Sequence, residues 1–169
     1  IVIETNDFFY NPGPANIILP QHRISAMSEF VTTHLGVVYP WQLDAMGHLN
    51  VQFCVAKFDE GTWNMFFELG LTPEYFEGAG CAMGAVQQNI TYRRELRAGE
   101  LVEIETGVLE VESRKIRILH RMRRRSDGEV AAWCDLLGVH FERQSSKSRP
   151  FPEAITARAS ELIVADPRT

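Results

Sequence analysis

The sequence predicts an α+β domain in which one long helix packs on a largely antiparallel sheet. Three observations carry this. A single long helical period runs from Val51 to Leu69, and alternation of period two dominates from Cys81 to Phe141. No helical pattern separates those later strands, so they have no crossover with which to run parallel.

The bulk properties fit one domain. At 169 residues the chain can bury a core without disulfides or metals. A formal net charge of -5 argues against a dedicated nucleic-acid binder. Cys54, Cys81 and Cys134 are odd in number, widely spaced and set in apolar patterns, which predicts buried thiols in a reducing compartment. No metal-ligand spacing occurs, so the expected mechanism is free of metal and of redox cofactor. No apolar run approaches the roughly 20 residues that span a bilayer, and residues 1–20 lack the basic start and apolar core of a secretory signal. The expectation is a soluble, cytoplasmic protein that binds neither membrane nor nucleic acid.

Taken in order, residues 1–30 are expected to be an N-terminal extension and 31–169 a single domain. Asn11-Pro12-Gly13-Pro14 is a turn signal, Ala15 to Leu19 is at most a marginal edge strand, and Met27 would suit a natural start. His34 to Tyr39 is a strand pattern closed by Pro40. Asn50 is placed to cap the helix that follows. Val51, Cys54, Val55, Phe58, Thr62, Met65, Phe66 and Leu69 make its apolar stripe. Gly61 costs this helix about 1 kcal/mol relative to alanine, a cost that close packing on a sheet would explain. Thr72-Pro73 opens a short second turn through Phe76. The strands follow: Cys81 to Arg93, then Val102 to Val108, then Ile116 to Arg123. Asp127-Gly128 turns the chain into Val130 to Phe141, apolar on both faces like a central strand. Residues 143–152 form a loop, and 152–164 a closing helix. One helix covers one face of such a sheet, so the other face calls for a partner and predicts a homodimer or a dimer of dimers.

The stretch Asp44-Ala45-Met46-Gly47-His48-Leu49-Asn50 joins the first strand to the long helix. It sets an acid, a glycine, a histidine and a capping asparagine where free backbone N–H groups favour negative charge. Asp44 suits a nucleophile or general base, and Gly47 an unusual backbone angle. His48 fits either a ligand-orienting role or a bond to a backbone carbonyl, and Asn50 a helix cap that also faces the site. His120 and His140 alternate into apolar faces, as core histidines do. Residues 93–125 are rich in arginine, among them Arg93, Arg94 and Arg97. This is either a solvated strand face or a dock for a phosphorylated small molecule. Trp63, Phe66, Phe67, Tyr75 and Phe76 fit core or interface packing, or else the wall of a short pocket for a small, ring-bearing or cationic group.

The stretch 44–50 with its aromatic-rich helix resembles the hot-dog-fold acyl-CoA thioesterases, in particular the 4-hydroxybenzoyl-CoA thioesterase-like group. Asn89-Ile90-Thr91-Tyr92-Arg93-Arg94-Glu95-Leu96-Arg97-Ala98-Gly99-Glu100 is similar to that family's second recurring stretch. The likeness covers about residues 34–142. It implies a long helix wrapped by a curved antiparallel sheet, protomers paired edge to edge, and active sites at the dimer interface. Asp44 matches the catalytic carboxylate, and His48 and Asn50 match positions commonly His and Asn. Glu60 lies near the region where another branch carries its acid. The implied activity is hydrolysis of an acyl-CoA thioester, with helix-start amides polarising the carbonyl and CoA entering as part of the substrate. Asp44, His48 and Asn50 are the catalytic candidates. Gly47, Glu60, Trp63, Arg93, Arg94 and Arg97 are the substrate-binding ones. The rival expectations are a non-catalytic acyl-CoA-binding or sensing module and, less well matched by motif, a hydratase on the same fold.

Overall fold

The computed structural model describes residues 29–168. Nearly all of the expected extension, with its marginal strand at 15–19, lies outside the described residues. Strand β1 is Val31–Val37, helix α1 Val51–Glu68 and helix α2 Pro73–Ala79. Strands β2 (Cys81–Tyr92), β3 (Leu101–Val111), β4 (Lys115–Arg124) and β5 (Val130–Glu142) follow, then helix α3 (Glu153–Glu161). The sheet order is β1-β3-β4-β5-β2, and every pairing is antiparallel. Each of the four ladders is interrupted by a shift of register, for example between Thr32 and His34 and between Ala85 and Gln87. Such bulges bend strands, and the sheet curves around α1. This is the α+β hot-dog arrangement that the resemblance implies.

Strand β1 begins earlier than its apolar pattern suggests, because Val31 already pairs with Thr106. It also ends before Pro40, which opens a single 3-10 turn over Pro40–Gln42. Helix α2 runs on to Ala79 and is closed by Gly80 at φ 62, the left-handed conformation that favours glycine.

Cys54, Phe58, Gly61, Thr62, Met65 and Phe66 of α1 are buried against the concave face, which supplies Val102, Ile104, Ile118 and Met122. Lys57 is buried as well, its ammonium reaching the Val37 carbonyl at 3.2 Å. Midway along α1 a polar chain crosses this apolar layer. Thr62 Oγ1 donates to the Phe58 carbonyl at 2.9 Å, so its oxygen accepts from His120 Nε2 at 3.1 Å. His120 Nδ1 then accepts from Thr106 Oγ1 at 2.7 Å, and Thr106 in turn from Thr33 at 2.7 Å. The Thr33 hydroxyl also lies 3.3 Å from the Ile104 carbonyl, and burial keeps the His120 ring neutral.

The convex face departs from expectation. It does not leave a bare apolar surface in need of cover. Glu105 stands opposite Arg121 and Glu103 opposite Arg123 in the β3–β4 register. Arg121 bonds Glu105 at 2.8 Å, and Arg123 reaches the same carboxylate at 3.2 Å. Arg117 and Arg168 both hold the buried Asp135, at 2.8 and 2.7 Å. Opposite charges placed across strands satisfy this face from within the chain. The case for self-association therefore moves to the outer edge of β2, a 12-residue strand with no neighbour on that side among the described residues.

Burial holds His120 down to about 3, against about 6.5 for a free imidazole. A folded-state value below the unfolded one means stability fully present above about pH 6.5 and lost as pH falls toward 3. Burial lowers His34 and His140 as well, in the same direction. Urea unfolding of the wild type is expected to lose on the order of several kcal/mol across that window. His120→Gln should flatten the slope. An unchanged slope in that variant would show that His120 is not its main source.

Candidate active site

The turn between the 3-10 segment and α1 is tied by its own backbone. Leu43 and Leu49 pair across it, and Asp44 N–H donates to the His48 carbonyl at 2.9 Å. Gly47 N–H returns to the Asp44 carbonyl at 3.0 Å, with Gly47 at φ 79. A side chain there would be strained, which accounts for the glycine. Asp44 Oδ1 accepts from Met46 N–H at 2.8 Å and His48 N–H at 3.3 Å. Its other oxygen, Oδ2, makes no hydrogen bond among the described residues.

Asn50 then starts α1. Its Oδ1 accepts from Gln52 N–H at 2.9 Å, and its carbonyl accepts from Phe53 and Cys54 N–H at 3.0 and 3.1 Å. Of the first four amides of the helix, that of Val51 alone has no acceptor among the described residues. Val51 was expected in the buried stripe, yet it is 59% exposed. The first turn of α1 overhangs a cavity instead of resting on the sheet.

That cavity has a volume of about 210 Å³. Asp44, His48 and Val51 form one side, Tyr92, Arg94 and Glu95 another, and Cys54, Met122, Ala131 and Ala132 are among the rest of its lining. The turn after β2 closes it. Leu49 N–H donates to the Leu96 carbonyl at 2.7 Å, and His48 Nε2 lies 3.0 Å from Glu95 Oε2. The two stretches singled out in the sequence thus meet. Burial pushes the Cys54 thiol up to about 12 even though Lys57 is near, so the sulfur stays protonated and unreactive at neutral pH. Burial raises Tyr92 too, and the Cys54 and Cys134 thiols add to it.

Arg94 also lines a neighbouring hollow of about 380 Å³ with Arg93, Gly128, Glu129, Val130 and Trp133. Arg94 has Glu129 at 3.9 Å, while the Arg93 guanidinium has no partner among the described residues. Arg97 lines neither hollow, and its backbone N–H is held by Glu100 at 2.7 Å. Glu60 lies elsewhere, its carboxylate 2.9 Å from His34 Nδ1 on β1. Trp63 belongs to a separate hollow of about 240 Å³ with Asp59, Phe66 and Met83. The structure therefore gathers Asp44, His48 and Arg94, joins them through Gly47 and Asn50, and leaves Glu60, Trp63 and Arg97 apart. Sequence reasoning missed Glu95, Tyr92 and Cys54 as lining. Glu95 and Tyr92 sat inside the second recurring stretch, which was the signal for them. Among the described residues no three His, Cys, Asp or Glu side chains converge as metal ligands, and no helix is long and apolar enough to cross a membrane.

Comparison with known proteins bears on the same region. The model of the Thioesterase-like superfamily matches residues 38–159. A betainyl-CoA thioesterase of Pseudomonas aeruginosa is 24% identical over 139 residues, covering 82% of this chain and 87% of its own. A hypothetical protein from Staphylococcus aureus, solved in complex with CoA, superposes with a TM-score of 0.75 at 15% identity, covering 83% of this chain and 89% of its own. A DHNA-CoA thioesterase from Staphylococcus aureus gives 0.69 at 14% identity, covering 76% and 88%. At those identities the structural likeness speaks to the fold.

Removing the helix cap tests the local account. Asn50→Ala is expected to cost about 1 kcal/mol in urea unfolding, and Asn50→Asp, which keeps the acceptor, much less. Equal stability of wild type and Asn50→Ala would show that the cap bond does not anchor α1.

Proposed function

The chain belongs to the Thioesterase-like superfamily, and from that premise we propose that it hydrolyses an acyl-CoA thioester to the free acid and CoA. The observation that carries this reading is the state of Asp44. One carboxylate oxygen is spent on the Met46 and His48 amides, which fixes the group, and the other is left open beside the cavity. Oδ2 attacks the acyl carbon or takes a proton from the attacking water. The charge that grows on the carbonyl oxygen needs a donor already in place, and the open Val51 amide at the helix start is suited to be one. Asn50 holds that amide where it is, and Gly47 lets the turn close.

CoA phosphates are assigned to the hollow beside the cavity, where the Arg93 guanidinium has no partner among the described residues and Arg94 spans both spaces. The acyl group is read as small, in keeping with about 210 Å³ of room. The Asp44 carboxylate and the Tyr92 ring beside apolar side chains suit a compact cationic acyl group, the kind named for the Pseudomonas aeruginosa relative. The open, 12-residue outer edge of β2 supports a homodimer paired along that strand.

Thiol release from short, branched, aromatic, cationic and long-chain acyl-CoAs tests this. Asp44→Asn is expected to lower turnover by about 100-fold or more while ester binding persists. Compact cationic esters should lead the panel. Undiminished turnover by Asp44→Asn would reject Asp44 as the reacting group. Ester binding by the wild type without any turnover would favour a binding module.

A further inference from the structure

One side-chain bond joins the two halves of the cavity and has no part in the scheme above. His48 Nε2 faces Glu95 Oε2 at 3.0 Å. A carboxylate only accepts, so that ring nitrogen carries a proton. Nδ1, the other nitrogen, has no partner among the described residues, and it belongs to a side chain that lines the same cavity as Asp44.

The backbone holds both partners in place. Arg93 and Arg94 N–H groups converge on the Ala131 carbonyl at 2.7 and 3.1 Å, and the Leu96 carbonyl accepts from Leu49 at 2.7 Å. Glu95 is thus fixed from both sides. His48 is fixed by its N–H to Asp44 Oδ1 and by its carbonyl, which accepts from Asp44 N–H. The Glu95 side chain is 66% exposed and that of His48 20%. An ion pair so open to water does little for folding. Its effect falls on the imidazole, whose orientation and protonated nitrogen are set by the group its far side bonds.

We infer that Glu95 is a positioning residue, holding His48 through Nε2 so that Nδ1 passes a proton to the departing CoA sulfur. The inference rests on the thioesterase reading of the cavity. With both ring nitrogens protonated, Glu95 is the counter-charge of the imidazolium. As the C–S bond breaks, the Nδ1 proton goes to sulfur and CoA leaves as the thiol. The ring is then neutral with its proton on Nε2, kept there by Glu95. The water consumed in forming the new C–O bond supplies the proton that recharges Nδ1. The balance is the same whether Oδ2 of Asp44 attacks the acyl carbon or activates that water.

A double-mutant cycle with the best ester of the panel, read beside the nitrogen-15 NMR signals of the His48 ring, tests this. His48→Ala and Glu95→Ala are each expected to lower kcat by about 100-fold with KM little changed. The double variant should be no slower than His48→Ala alone, because Glu95 acts only through the ring. In the neutral wild-type ring the proton should sit on Nε2, and Glu95→Ala should spread it over both nitrogens. A further loss of kcat on adding Glu95→Ala to His48→Ala would overturn the inference, since Glu95 would then act on substrate directly. A wild-type ring protonated on Nδ1 alone would overturn it too. Wild type without turnover but with the Nε2 signature would overturn the relay together with the thioesterase reading. Turnover without that signature would overturn the role of Glu95 alone.

Discussion

The cavity depends on how closely α1 lies on the sheet, and that approach is set at Gly61. A Cβ at this position would stand 3.1 Å from Thr33 Oγ1 and 3.2 Å from an Ile104 methyl. Both neighbours belong to the sheet, one of them to the hydroxyl chain that runs through Thr106 and His120 to Thr62 on the helix. Glycine at the centre of a helix costs about 1 kcal/mol, which the close contact and the four-residue polar chain offset. With its middle pressed down and keyed to His120, α1 has one register on the sheet. Its first turn must then overhang, and the Val51 amide stays open at the cavity instead of being buried.

From that fixed helix the chemistry follows by short steps. The turn before α1 is closed by Asp44 and Gly47, and the same hydrogen bonds that close it leave Asp44 with one engaged and one open oxygen. The turn after β2 docks on it through Leu96 and Glu95. Fold stability and the geometry of the candidate site thus share their bonds. A carboxylate held by backbone amides can lie beside an apolar pocket, because two N–H groups replace part of its lost hydration.

Much of this was legible in the sequence, and the rest had physical reasons to be hidden. Periodicity gave α1 and the four strands after it because each has one face that must be apolar. The cap at Asn50, the glycine at 47 and the hairpin at Asp127-Gly128 were legible because few residue types satisfy those backbone demands. The start of β1 was not, since Val31 is in the sheet by virtue of Thr106, a partner 75 positions away. The exposure of Val51 was hidden because a helical stripe tells which face is apolar, not where the surface beneath it ends. The charge pairing of Glu105 with Arg121 on the convex face was hidden because it depends on a register that alternation alone does not give. Glu60 and Trp63 looked near to Asp44 in sequence, but α1 carries them away along the sheet, to His34 and to a separate hollow.

The most direct measurement is a structure of the protein with a CoA thioester analogue in which a methylene replaces the scissile sulfur. The account predicts the analogue's carbonyl carbon beside Asp44 Oδ2, at about 3–3.5 Å for direct attack or one bridging water away for general-base attack, with its oxygen within hydrogen-bonding distance of the Val51 amide. An acyl group seated instead beside Trp63 and Asp59, out of contact with Asp44, would contradict it.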